Sequence, residues 1–349
     1  MSGLQPNSKR TITGHKAVRE ALRDTSTYSS DLQGDADVRD YRQLPLEVDP
    51  PRHHLFRSAL SSYFVKPAIE QHVDAFRVNS ERLLKKYFEG EPEEVVSELA
   101  LPLVMENLGA IYNRPQDVAE WVSWGPDVWT AESEHRDGAV LHRYIDKIYE
   151  EALSAEHDDI WNAIAHMEID GKQVSPIEFR GIVGVLLAGG RDTVVKLLTG
   201  MLWHFAHTDD LNRIRSGEME INPAIQEFVR FLSPLPVMNR TTVPETGAVD
   251  LPADRYVAMS FISGNFDETV FEDPFTVKLD RERNPHLSFG FGPHTCLGNH
   301  IAEVEARIFL ETLRDSSFNP RVLSEVTKFN EKPYEKVPDQ FQSLRLVSD

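Results

Sequence analysis

A single cysteine, Cys296, sits in the run Phe289-Gly290-Phe291-Gly292-Pro293-His294-Thr295-Cys296-Leu297-Gly298. Three glycines surround it, and a helix-like run from Asn299 to Leu313 follows. A thiolate is stabilised at a helix N-terminus, where free N–H groups and the helix dipole favour negative charge. Glycines let backbone amides come close to a sulfur and to any flat group lying over it. Phe289 can shield the sulfur from water. Taken by itself, a lone cysteine is most often a small buried hydrophobe. A shielded thiolate framed by glycines also suits an axial ligand to iron.

Three further constellations carry chemistry. In Asp49-Pro50-Pro51-Arg52-His53-His54-Leu55-Phe56-Arg57 the prolines permit a helix start, and His53 and Arg57, four apart, share one helix face. Such a pair suits a carboxylate partner, and it equally suits an ordinary solvated helix start. The run Gly189-Gly190-Arg191-Asp192-Thr193 lies inside the longest helical stretch, Pro176 to Ala206. Two glycines in mid-helix cost roughly 1 kcal/mol each against alanine. A widened turn with an acid beside a hydroxyl would deliver protons to a reacting group; a packing defect with a polar patch is the plainer alternative. Finally, Glu227 and Arg230 stand i,i+3 on a short helix, Pro223 to Leu232. That spacing is common by chance and is worth little on a surface.

The order Phe-Gly-x-Gly-x-His-x-Cys-x-Gly around Cys296 closely resembles the haem-binding loop of the cytochrome P450 family. The segment from Asp49 to Arg57 resembles the family's Asp-Pro-Pro-x-His-x-x-x-Arg stretch, and Glu227-x-x-Arg230 its Glu-x-x-Arg signature. The chain from roughly residue 15 to the end follows the family's motif order. The resemblance implies haem b (iron protoporphyrin IX), ligated through iron by Cys296. It implies that His53, Arg57, Arg240 and His294 hold the propionates, with Phe289 and Gly298 also against the cofactor. Asp192 and Thr193 would serve proton delivery. Glu227, Arg230 and Arg281 would brace the cysteine loop.

The implied fold is mainly α, with a small β-rich subdomain and haem between the long helix and the cysteine loop. Residues 1–349 are expected to form one such domain, short at the N-terminus because only a polar lead precedes His15. The implied activity is monooxygenation of a small hydrophobic substrate, with electrons from a ferredoxin-type or flavodoxin-type donor docking on the cysteine side. Arg52, Lys66 and Arg307 are the candidate contacts. A peroxide-driven peroxygenase and a non-catalytic haem protein are the alternatives; the Asp192-Thr193 pair counts against both.

Composition narrows the field. With 37 Lys+Arg against 56 Asp+Glu, the formal net charge is −19, which repels nucleic acid. One cysteine excludes an internal disulfide. The longest notable apolar run, Gly181 to Gly190, is too short to span a bilayer. A cytoplasmic monomer without membrane contact is the expectation.

The elements that must position these groups follow from periodicity. Helices are expected over His15–Leu22, Ile69–Tyr87, Val95–Tyr112, Asp117–Trp129, His142–His166 and Pro176–Ala206. Residues 1–14 read as an unstructured lead, Ser29–Pro45 and Ala131–Gly138 as loops, and Ser263–Phe275 as a loop into the cysteine segment. Strands are expected over Val243–Met259 around a turn at Thr246-Gly247, and over Phe318–Val347 around Lys332-Pro333. Trp121, Trp124 and Trp129 are assigned to helix packing ahead of a substrate wall. Pocket walls are expected from Asp35–Arg42, Val185–Gly189, Pro236–Met238 and Lys332–Val337. Arg191, a charge in a buried helix, should turn toward the surface or a carboxylate.

Overall fold

The computed structural model describes residues 10–31, 41–124, 139–154, 159–242 and 256–348. Helices dominate, accompanied among the described residues by one four-stranded and two two-stranded sheets. The lead segment is not unstructured throughout. Arg10–Ile12 forms strand β1 and pairs in parallel with Val257–Met259, a partner far away in sequence that no local pattern reveals. Helix α1 (His15–Arg23) buries His15, Val18, Ala21 and Leu22. Its first turn is tied down by a 2.8 Å bond from the His15 amide to the Asp267 carboxylate. Asp24 then accepts from the Thr27 amide and closes the expected break. Strand β2 (Tyr28–Ser29) opens the segment expected to be a loop; residues 32–40, which hold most of the first expected pocket wall, lie outside the described residues.

Helix α2 (Arg52–Ser61) begins after the two prolines, as expected. The single helix expected over Ile69–Tyr87 is two, α3 (Lys66–Glu70) and α4 (Val73–Glu89). Pro67, with its fixed φ, starts a helix before the periodic run, and the turn between lets both Ile69 and Phe76 be buried. Next a π-helical turn, Val96–Ala100, runs into α5 (Leu101–Ile111). Pro102 has no N–H to close the ordinary ladder there, so the turn widens. Trp121 on α6 (Val118–Ser123) and Trp124 just after it are buried against Tyr112 and Tyr144, a packing role. Trp129 and the loop 131–138 lie outside the described residues. Helices α7 (Ala139–Ser154) and α8 (Ile160–Ala165) replace the continuous stretch expected from His142. A small hairpin, β3 (Glu168–Ile169) and β4 (Lys172–Gln173), turns at Asp170-Gly171.

The longest expected helix is also two. Helix α9 (Pro176–Gly189) opens with a reciprocal capping box between Ser175 and Glu178 and buries Phe179, Ile182, Val183, Leu186 and Leu187. Helix α10 (Asp192–His207) starts after an interruption at Gly190-Arg191. Paired glycines weaken the ladder, and Gly190 is held where a Cβ would press Leu108 at 3.3 Å. Helices α11 (Asp210–Arg215) and α12 (Ile221–Leu232) follow.

Strand β5 (Val237–Thr242) starts earlier than expected and already contains Arg240; residues 243–255, with the expected turn, lie outside the described residues. With β6 (Tyr256–Ser260) it completes a sheet of order β1-β6-β5-β2. A short helix, α13 (Phe261–Asn265), opens the segment expected to be loop. Helix α14 (Asn299–Asp315) follows the cysteine and packs on α4, where Arg77 reaches Glu311 at 2.6 Å. The C-terminal hairpin, β7 (Pro320–Phe329) and β8 (Pro338–Ser348), turns across Lys332-Pro333 as expected. One large core joins the helices, while Val18, Ala21, Leu22, Val257, Met259, Phe261 and Leu287 form a smaller one behind the cysteine loop.

Candidate functional site

The cysteine loop is shaped by two residues in the left-handed region, Gly290 (φ 69°) and Gly292 (φ 76°). A Cβ on Gly292 would also come within 3.0 Å of the Leu22 carbonyl oxygen, so this turn sits directly on α1. Between the two glycines, Phe291 is held under the guanidinium groups of Arg19 and Arg23, at 4.1 and 4.5 Å from its ring centre. The Cys296 amide donates to the Phe289 carbonyl at 2.8 Å, and the Gly298 amide donates to the sulfur. Cys296 is accessible although protein surrounds it on every side, so it faces an enclosed cleft. Burial pushes its thiol up; the Gly298 N–H and the charge of Arg57 pull the other way without prevailing. The expected amide stabilisation of a thiolate is therefore present, and a cation at the sulfur is needed to complete it.

Beside the sulfur lies a cluster of basic side chains from three separate elements. His53 and Arg57 come from α2, Arg240 from β5 and His294 from the cysteine loop. The rings of His53 and His294 stand 4.2 Å apart. Neither nitrogen of His53, nor Nε2 of His294, has a hydrogen-bond partner among the described residues, although all three are buried. Arg57 makes no hydrogen bond or ion pair among those residues, and Arg240 makes one, to the Asn239 carbonyl at 2.9 Å. Burial, and then the charges of Arg57 and His54, press His53 down to about 4. His294 falls to about 2, through burial and then Arg240, His53 and Arg57. Arg240 drops to about 10 for lack of solvent. Asp49 is the one opposing charge: its Oδ1 lies 3.9 Å from His294 Nε2, too far for a hydrogen bond, and His294 stays neutral. Four crowded, desolvated donors with so little negative charge among them fit a ligand that carries carboxylates.

At the interruption between α9 and α10, the Thr193 hydroxyl donates to the Gly189 carbonyl at 3.2 Å. A Cβ at Gly189 would meet nothing within 4 Å, so this stretch of helix borders open space. Arg191 does turn to a carboxylate, that of Asp192. Asp192 is itself 40% exposed at the side chain, so the pair leads from the outside to the helix break.

Glu227 and Arg230 are both fully buried and joined by two bonds of 2.7 and 2.8 Å. Arg281 adds a 2.9 Å bond to the same carboxylate. Burial works to raise Glu227, but the bonds from Arg230 and Arg281 outweigh it and leave its pKa lowered. Arg230 also donates to the carbonyls of Asn265 and Pro274. Asn265 passes the connection on: its Oδ1 accepts from the Leu287 amide at 2.6 Å, and its Nδ2 donates to Ser288. The three expected brace residues thus meet. Asn265, Asn284, Ser288 and the two arginines of α1 were missed, because their signal is contact across the chain and not spacing along it. Of the expected donor contacts, Arg52 is bonded to Glu178 and Arg307 to both oxygens of Glu70, since each lies opposite a carboxylate of another helix. Lys66 is exposed and has no such partner among the described residues.

Known proteins similar to this chain fall in one family. The cytochrome P450 family model matches residues 218–333, the stretch that runs from α12 through the cysteine loop to the C-terminal hairpin. A steroid C26-monooxygenase of Mycolicibacterium smegmatis is 27% identical over 321 residues, spanning 87% of this chain and 79% of the relative. A methyl-branched lipid omega-hydroxylase of Mycobacterium tuberculosis is 29% identical over 296 residues, spanning 80% of this chain and 69% of the relative. The structure of a carbohydrate-active P450 superimposes with a TM-score of 0.88 at 28% identity, covering 97% of this chain and 92% of the other. The chain has the cytochrome P450 fold, and its cysteine-loop stretch matches that family's sequence pattern. This P450 is a haem-dependent monooxygenase. No helix among its described residues is long and apolar enough to cross a membrane. The residues around Cys296 fit haem in this P450, because an enclosed thiol and a buried, unpartnered basic cluster lie side by side.

Proposed function

We propose that this P450 inserts one atom of O2 into a small apolar organic molecule, using electrons from an external redox partner. The observation that carries the reading is the basic cluster beside an enclosed cysteine. Haem, when bound, supplies the oxygen activation: two electrons and two protons enter, one oxygen atom goes to the substrate and the other leaves as water. The whole chain acts as one domain around that site.

Cys296 would ligate the haem iron through its sulfur, and the Gly298 N–H would temper the charge there. His53, Arg57, Arg240 and His294 would hold the propionates, whose negative charge would relieve the crowding of basic groups there. The Glu227–Arg230–Arg281 brace fixes the loop through Asn265. Asp192 collects protons on the accessible side of the helix break. Thr193, whose hydroxyl proton is engaged by the Gly189 carbonyl, presents its oxygen as an acceptor to hold a proton-carrying water. The steroid and lipid relatives support an apolar substrate. Lys66, next in the chain to exposed Val65, is the basic contact left for an electron donor.

The test is product formed per reductant consumed, wild type against Thr193→Ala and Asp192→Asn. Thr193→Ala should keep haem and substrate affinity yet lose reducing equivalents to hydrogen peroxide. Asp192→Asn should slow turnover. Equal coupling in wild type and Thr193→Ala would remove the relay. Activity with peroxide alone, indifferent to both changes, would make the protein a peroxygenase instead.

A further inference from the structure

One basic group near the helix break has no part in the mechanism above. Lys196 lies on α10, one turn after Thr193, so the two side chains are neighbours on the helix surface. Val194, Val195, Leu197 and Leu198 on either side are buried in the core. Asp192, Thr193 and Lys196 are the half-buried residues of this part of α10, so they form one stripe leading away from the break. Thr193 is fixed over Gly189, the position that borders open space.

The surroundings of the Lys196 ammonium are unusual for a lysine, which normally carries its charge to water. Protein covers much of the side chain, yet the ammonium makes no hydrogen bond or ion pair among the described residues. The charge that it feels is Asp339 at the start of β8, and Asp339 is already 3.4 Å from Lys328 Nζ. Desolvation drops Lys196 to about 8, so it remains mostly charged at neutral pH. An enclosed cation without a fixed partner gains more from an arriving anion than an exposed one does. A single ammonium with a carboxylate nearby suits a monoanion; a dianion such as phosphate would meet Asp339 and find no second donor.

We propose that Lys196 is a substrate-binding cation that takes the carboxylate of an apolar acid and holds it beside the helix face bearing Thr193. The consequence is regiochemical. Oxidation would fall on carbons near the acid end and not at the distant end of the chain. The inference rests on the cleft between Thr193 and Cys296 being the substrate site.

Calorimetric titration of the haem-loaded protein at pH 7 with dodecanoic acid and with methyl dodecanoate tests it. The wild type should bind the acid at least about tenfold more tightly than the ester, the size expected for one charge-assisted contact. Lys196→Met should bind the ester unchanged and lose the preference, while Lys196→Arg should keep it. An acid-to-ester ratio that is the same in wild type and Lys196→Met overturns the proposal, as does a wild type with no preference. Acid that binds and is hydroxylated equally by both proteins leaves the monooxygenase reading intact and removes the lysine from it. Failure of both probes to bind a haem-loaded wild type overturns the proposal together with the substrate-cleft reading.

Discussion

Glu305, on the inner face of α14, should make this P450 less stable as pH rises, and Glu305→Gln should remove the effect. The side chain is 1% exposed, and neither carboxyl oxygen has a hydrogen-bond partner among the described residues. Its neighbours are Asn107, whose oxygen is occupied by Asn79, and Tyr112, whose hydroxyl is given to the Leu186 carbonyl. Burial pushes the carboxyl from 4.5 up to about 8, and the nearby Asn107 amide offsets only part of this. Below pH 4.5 the group is protonated in both folded and unfolded chains and contributes nothing. Between 4.5 and about 8 the unfolded chain releases a proton that the folded chain keeps, so stability falls as pH rises. The slope is about 1.4 kcal/mol per pH unit, which amounts to about 3 kcal/mol at pH 7. A glutamine amide left without a partner costs roughly 1 kcal/mol of that gain. The variant should therefore be more stable by about 2 kcal/mol at pH 7 and nearly equal to wild type at pH 5. Urea unfolding of the haem-loaded protein, followed by far-ultraviolet circular dichroism across pH 5–8, measures the difference. A difference that stays flat over that range would refute the reasoning, because it would mean that Glu305 is already charged in the fold.

Cys296→His should abolish the red-shifted Soret band that a thiolate ligand gives the reduced, carbon-monoxide-bound protein; an unchanged spectrum would exclude Cys296 as the ligand. Glu227→Ala leaves the buried Arg230 and Arg281 uncompensated, at a cost of about 3–5 kcal/mol. It should yield haem-poor, poorly folded protein, and a variant with full haem content and unchanged melting would mean that the brace does not secure the loop.

Local chemistry was legible where a short stretch of chain carries both the group and its setting. The glycine-framed cysteine and the histidine and arginine four apart on α2 are of this kind. So were most helices, since a period of 3.6 is written along the chain itself. Breaks within helices were less legible. Paired glycines marked the weak point of the longest helix, but a widened turn and a full interruption differ by packing, here the contact of Gly190 with Leu108 and the ion pair between Arg191 and Asp192. What no sequence pattern could decide was convergence. Four basic side chains from α2, β5 and the cysteine loop crowd into one desolvated cluster, and their altered proton affinities exist only in one another's presence. The same holds for β1, which pairs with β6, and for Asn265, which joins the brace to the loop. It holds also for Lys196 and Glu305, ordinary charged residues in the sequence. Enclosure by neighbours remote in sequence is what sets their charge, because burial is a property of the folded chain alone.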